Sequence, residues 1–287
     1  MLSPSLKTKL ALLEGIPTLP LLVRKLLHTI EQDKFIVSDL EKIICQDPAI
    51  SSRLLRVANS SFFGFSGKVG TLNRALMLLG TNFVKALALS MSIIDTLSHD
   101  QSIRKHEWHD YWLHSFACGW VAQRLIQHGL FSDVSDEAFL SGLLHDLGKP
   151  VLWVYEAHTY QAVREKIQSD DLSTHDAEIA VLGVHHGHVG GELAGHWKFP
   201  PDIHAAILEH HESEPTMSAA RLIKVADSVV HNTWSDNRYE KRDGKPLHAV
   251  VEVFSIRPRI LENVGRELRL WGNEIHELSG SLPRIVR

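Results

Sequence analysis

Along most of this chain apolar residues recur every three or four positions, the period of a helix with one buried face. Leu72, Ala75, Leu76 and Leu79 mark one such face, and Gly80 follows as a stop. A longer helix runs from near Glu107 through Val121 and Leu125 to a stop at Gly129. Ser38-Asp39-Leu40-Glu41 has the form of a capping box, and Asp47-Pro48 pairs an N-cap residue with a proline at the first helical position. Ser135-Asp136-Glu137 predicts the opening of a helix that carries residues 141–150, and Thr174, Pro200 and Thr216 start further helical patterns. No stretch alternates with a period of two, so no sheet is predicted. Gly80, Thr81, Asn82 and Lys85 interrupt the most apolar region, residues 74–94, which predicts buried helices and not a membrane span.

The predicted fold class is all-α, with two helical subdomains. A polar, aperiodic stretch, SHDQSIRKH at 98–106, separates an N-terminal bundle (residues 1–98) from a second bundle (107–232). Residues 233–287 open with an exposed loop, SDNRYEKRDGKP, and are expected to form a helix near 257–279 that packs back on the bundle.

Composition narrows the function. With 287 residues, 44% hydrophobic and 22% charged, the chain can bury a sizeable core. A net charge of -4 excludes a global pull toward nucleic acid or anionic membrane. Cys45 and Cys118 lie far apart and form no CxxC, which suits a reducing compartment and buried apolar thiols. The opening MLSPSLKTKL lacks the apolar core of a signal peptide, so a cytoplasmic location is expected.

The unusual count is histidine, 19 in all, of which sixteen fall between His99 and His231. His114 shares a helical stripe with Ala117, Cys118 and Val121, and Asp110 stands one turn before it. It is either a core histidine bonded to Asp110 or a ligand. His145 and Asp146 sit in the apolar run SGLLHDLGKP, with Lys149 three residues on. On a helix, neighbours diverge by roughly 100°, so this pair can share one ion only against the helix wall. The stretch GVHHGHVGGELAGHW offers His185, His186, His188 and His196 among glycines that predict close backbone approach. His210 and His211 are adjacent, and Asp227 lies on the apolar face of Ala220, Ile223 and Val230. A buried Asp needs a partner, whether an Arg, a His or a cation. One dinuclear centre would satisfy nearly all of these inward polar groups. Imidazole and carboxylate without thiolate suit iron or manganese first, with zinc, magnesium or nickel as alternatives.

His114, His145-Asp146 and Asp227 follow the H…HD…D order of the HD superfamily of metal-dependent phosphohydrolases, which the chain resembles. More narrowly it looks like an HDOD protein, an HD-related output domain. IPTLPLLVRKLL, IICQDPAISSRLLRVANSSFFG and LNRALMLLG resemble the N-terminal half of that family, and GLLHDLGK, VHHGHVGGELAGHWKFPPDIHAAILEHHE and KVAD its HD half. The resemblance covers roughly residues 15–232. It implies two divalent cations held by His114, His145, Asp146, His186, His210, His211 and Asp227, as in the related HD-GYP phosphodiesterases. Asp146 and Lys149 are then the catalytic candidates, and Asp110 an additional ligand. The ESEPTMSAA that follows His211 stands where those enzymes carry a DGxGYP element, so cyclic di-GMP is not the expected substrate.

Two functions remain open on the sequence. One is regulatory: the chain is similar to output domains of bacterial signal transduction, with a signalling protein or a small nucleotide as partner. No receiver or sensor domain precedes the HDOD part in this sequence, so its input is expected from elsewhere. The other is hydrolysis of a nucleotide or other phosphoester. In NSSFFGFSGKVG, Phe62 and Phe63 either dock a partner or staple the subdomains together.

Overall fold

The computed structural model describes residues 19–30, 36–65, 67–97, 105–134, 137–234 and 247–275. Among these residues there are fifteen α-helices and no strand, as the apolar periodicity requires. Residues 98–104, Ser135, Asp136 and the loop 235–246, on which several expectations fall, lie outside the described residues.

Four helices, α1 (Leu21–Ile30), α2 (Val37–Ile44), α3 (Pro48–Ala58) and α4 (Leu72–Leu79), all pack against α5 (Thr81–Leu97). The α3 start is as expected: the Asp47 carboxylate accepts from the N–H groups of Ala49 (2.9 Å) and Ile50 (3.0 Å), ahead of Pro48. Gly80 stops α4 at a φ of 85°, outside the range that side chains favour. Burial of α5 on nearly every side accounts for the apolar run at 74–94. Lys85, its charged interruption, is buried with Nζ 3.7 Å from Glu137. No single described helix is long and apolar enough to cross a membrane; α4 and α5 reach that composition only together, and they meet at 118°.

The remainder is arranged about one long helix, α6 (Lys105–Gln127). It lies against α7 (Ala138–Leu144) and α13 (Ser218–Thr233). Between them come α8 (Gly148–Tyr155), the pair α9 (Ala157–Asp170) and α10 (Thr174–Leu182), and then α11 (His186–His196) and α12 (Pro201–Glu209). The α11 helix packs on α8 and α12, and α12 packs on α7 and α13. After α14 (Leu247–Phe254), α15 (Pro258–Leu270) packs on α6 and α13, and the Arg124 guanidinium donates to Glu267 at 2.7 Å.

Three local expectations need correction. The proposed capping box does not form: α2 begins at Val37 with Ile36 at the N-cap, and Glu41 accepts from Asn73 on α4 (3.2 Å) instead of turning back to Ser38. Thr216 does not open α13, because Glu209 takes its N–H (2.6 Å) and its hydroxyl (2.9 Å), and the helix starts two residues later. Residues 141–150 are not one helix. The α-helix is interrupted between Leu144 and Gly148, where the Leu147 N–H donates to Leu144 and the Lys149 N–H to Asp146, so His145 and Asp146 sit in a tight turn between two helices.

Among the described residues, beside a small satellite of Ala58, Val69 and Ala75, one large hydrophobic core runs from Val23 to Ile275. Where the first five helices meet the rest it is aromatic. Phe62 lies edge-on to Phe116 (centroids 5.6 Å) and beside Trp271 (5.6 Å), Phe63 packs on Phe83 (5.3 Å), and Phe83 on Phe139 (4.6 Å). Phe62 and Phe63 are half-buried in these contacts, the arrangement of a staple more than of a docking surface.

Candidate metal centre

Backbone contacts that only glycine permits bring the polar side chains together. A methyl group at Gly142 would lie 2.4 Å from the backbone of Gly119, so α6 and α7 touch there. That contact sets His145, just after α7, opposite His114 and Cys118 on α6. A methyl group at Gly148 would lie 1.9 Å from the carbonyl oxygen of His186, so the start of α8 rests on α11. That sets Asp146 beside His186.

The result is two of the three groups of ligand atoms among the described residues, the atoms of each within 4.8 Å of one another: His114, Cys118, His145 and Asp227, and Asp146, His186, His210 and His211; the third is His185, His188 and Glu212, of which Glu212 is exposed. In the first, His114 Nε2 is 3.1 Å from Asp227 Oδ1 and 3.3 Å from His145 Nε2. In the second, His186 Nε2 is 3.1 Å from Asp146 Oδ1 and 2.8 Å from His211 Nε2, and His210 Nε2 is 3.7 Å from Asp146 Oδ1. Asp146 joins the two. Its other oxygen, Oδ2, lies 3.6 Å from His114 Nε2 and 3.4 Å from His145 Nε2. Lys149 Nζ stands 2.8 Å from the same Oδ2 and is 2% exposed.

The far sides of the rings fix which nitrogen faces inward. His145 Nδ1 donates to the Gly142 carbonyl at 2.8 Å, and His210 Nδ1 to the Ile207 carbonyl at 2.9 Å. His186 Nδ1 donates to Glu178 at 2.7 Å, and Tyr160 holds that carboxylate from behind with its hydroxyl at 2.8 Å. With Nδ1 protonated, each Nε2 presents a lone pair to the interior. His210 Nε2 is buried with no hydrogen-bond partner, a costly state for a polar atom unless something electron-poor faces it. Converging lone pairs and carboxylate oxygens, excluded from water, fit divalent cations and fit a purely hydrogen-bonded network poorly.

Electrostatics agree with that chemistry. Burial pushes the imidazoles of His145, His210 and His211 down. Burial opposes the charge on Asp146, yet His145 and Lys149 hold its carboxyl well below the usual carboxylate range. Burial likewise opposes the charge on Asp227, and His231, whose Nδ1 is 2.8 Å away, prevails with His114. For His186, burial is outweighed by Glu178 and Asp146, and the ring is pushed up to about 10; a bound cation would replace that proton.

All seven residues expected as ligands thus converge. Asp110 is half-buried and belongs to neither group, and His114 Nε2 is turned toward Asp227. Outside the two groups, His185 caps α11 by accepting from the Gly187 N–H (3.2 Å), His188 lies 3.6 Å from Glu212, and His196 is exposed. Of the two thiols expected to be buried and apolar, only Cys118 is buried, and its surroundings are polar. Cys45 is exposed, and Cys118 faces His114 and Asp227. Sequence reasoning also missed Glu178 and His231. The signal for His231 was its place one turn after Asp227, and for Glu178 an acid buried among apolar residues of α10.

Comparison with known proteins bears on the same residues. The family profile of the HDOD domain matches residues 16–213. A crystal structure of an HDOD domain protein from Geobacter sulfurreducens superposes with a TM-score of 0.75 at 19% identity, covering 97% of this chain and 99% of that one. A protein of Marinobacter aquaeolei VT8 whose name proposes signal transduction superposes with a TM-score of 0.75 at 21% identity, over 98% of this chain and 62% of that one. One of Shewanella amazonensis SB2B whose name proposes a phosphohydrolase reaches 0.71 at 22%, over 98% and 99%. In sequence, an uncharacterized protein of Treponema pallidum (strain Nichols) is 26% identical over 200 residues, which are 69% of this chain but only 38% of that protein.

Proposed function

This chain belongs to the HDOD family, and from that premise we propose that it is a signal-transduction protein whose HD half holds two divalent cations and hydrolyses a phosphoester. The observation that carries the reading is the division of Asp146: Oδ1 faces His186 and His210, and Oδ2 faces His114 and His145. A carboxylate so divided is suited to bridge two ions. His114, His145 and Asp227 would complete one site, and His186, His210 and His211 the other. When bound, such cations supply an activated water and neutralise charge on the phosphoryl group. The chain's own residues do the rest. Glu178 fixes the His186 ring, and the carbonyls of Gly142 and Ile207 fix His145 and His210. Lys149, held by Asp146, donates to a nonbridging phosphoryl oxygen. The names of the Marinobacter and Shewanella structures support the signalling and hydrolytic halves of the proposal respectively. The substrate is a nucleotide or related phosphoester other than cyclic di-GMP, and the input comes from a partner protein or a small nucleotide. Borderline ions such as ferrous iron or zinc suit the imidazole-rich set, and manganese suits its carboxylates.

A second reading has its own observation. The ligand side chains of His114, His145, Asp146, His186, His210 and Asp227 are all 5% exposed or less, and only His211 is half-buried. A centre so enclosed also suits a cation that senses or stabilises and never turns over. Elemental analysis of the purified protein, with a phosphodiesterase screen on a chromogenic diester and a nucleotide panel, separates the two. Hydrolysis that disappears in Asp146→Asn, with helical content intact, supports the enzyme. Two bound ions and no turnover on any substrate support the sensor. No bound metal in either protein refutes both.

A further inference from the structure

Resting on the two-cation reading, we propose that Cys118 ligates the cation held by His114, His145 and Asp227, closing that position while its neighbour stays open to substrate. The thiol does not stand alone: its Sγ is one of four ligand atoms that all lie within 4.8 Å of one another. It is fully buried, 3.5 Å from His114 Nε2 and 4.0 Å from Asp227 Oδ1. These separations are close to the edges of a coordination polyhedron. Bonds of about 2.0–2.1 Å to imidazole nitrogen and about 2.3 Å to thiolate give tetrahedral edges of about 3.3 Å for N···N and about 3.6 Å for S···N. The structure has 3.3 Å between His114 and His145 Nε2, and 3.5 Å between Cys118 and His114. The edge from Cys118 to Asp227, at 4.0 Å, is wider.

The placement has a backbone cause. Cys118 precedes Gly119, the residue on which Gly142 rests, and His145 follows one turn after Gly142. The same helix contact therefore aims the thiol and the imidazole at one point. His114 and Cys118 are four residues apart on α6 and share a face.

Counting ligand atoms shows the asymmetry. Asp146 Oδ2 also lies 3.4–3.6 Å from the two Nε2 atoms of the first group, so that position gathers two nitrogens, two oxygens and a sulfur. The second gathers Asp146 Oδ1 and three imidazoles, and includes the one partly exposed ligand, His211. The position with more ligand atoms holds its ion more firmly, and the one with fewer leaves more room for water or substrate to join by expanding the coordination. Thiolate also shifts the first position toward zinc, cobalt or ferrous iron and away from magnesium.

Cobalt titration of chelator-stripped protein tests this, with bound cobalt per chain and the absorption spectrum followed together. The first equivalent should bring a thiolate-to-cobalt charge-transfer band. Cys118→Ser should bind cobalt without that band and hold its first zinc at least roughly tenfold more weakly. Bound cobalt with no such band in the wild type would overturn the role of Cys118 and leave the two-cation reading standing. A wild type that binds no cobalt would overturn both. The wild-type spectrum decides even if Cys118→Ser fails to fold.

Discussion

The Glu178 carboxylate meets Nδ1 of His186 at 2.7 Å, with both side chains 0% exposed. The same carboxylate accepts the His186 backbone N–H at 2.7 Å and the Tyr160 hydroxyl at 2.8 Å, so it is anchored on three sides. A ring so held points its Nε2 at Asp146 in one orientation only. Replacing Glu178 with Gln keeps the shape and removes the charge. Loss of such an outer partner weakens metal binding by roughly 10–100-fold. Competition with a metal-sensitive dye should show that loss for one of two sites, while Glu165→Gln on exposed α9 surface should change nothing.

Stripping the cations should lower thermal stability. The metal-free protein confines Asp146, Asp227 and five imidazoles in a nearly dry space. Restoring a cation at a hundred times its dissociation constant stabilises the folded state by about 2.7 kcal/mol per site. Calorimetric melting with and without chelator reads this directly, and a melting temperature indifferent to chelation would count against a resident ion.

Gly142→Ala should damage fold and site together. The added methyl group would lie 2.4 Å from Gly119 N and Cα, and neither backbone can retreat without moving a helix. Overpacking of this kind costs about 1–3 kcal/mol. Urea unfolding should register the loss, and metal content should fall with it because His145 moves with α7. Gly183→Ala is the contrast: nothing lies within 4 Å of the added group, but its φ of 72° strains any side chain, so stability alone should suffer.

Phe62→Ala and Phe63→Ala should each destabilise the protein by about 1–3 kcal/mol, less than a fully buried ring because both are half-exposed. Their ring contacts across the seam are Phe116, Trp271 and Phe83, none of them a ligand. Metal content should therefore survive. Variants of full stability that lose a binding partner would instead make the two rings a docking surface.

His114 and Asp227 were legible because each puts a polar group on a helical stripe that demands an apolar residue, and His145-Asp146 because the pair interrupts an apolar run; His186, His210 and His211 were singled out only by the resemblance to the HD superfamily. Asp227 on the stripe of Ala220, Ile223 and Val230 is the plainest case. Cys118 was hidden by the same rule, since a cysteine satisfies an apolar stripe and raises no conflict. Glu178 was hidden because its partners, Tyr160 and His186, come from other helices. The break at His145-Asp146 escaped for a related reason. Its cause is the backbone of His186 pressing on Gly148, some forty residues away in sequence. Helix starts slipped where a tertiary bond claimed the capping side chain, as Asn73 does with Glu41.

Phe116, which carries the aromatic seam, lies between His114 and Cys118 on α6. Helix geometry turns neighbouring side chains apart by roughly 100°, so one rigid rod faces the seam on one side and the ligand pocket on the other. Rolling that rod to suit an occupant in the pocket must also roll Phe116 against Phe62 and Phe83. Were cations to occupy the pocket, their arrival or departure would thereby be geared to the posture of the first five helices.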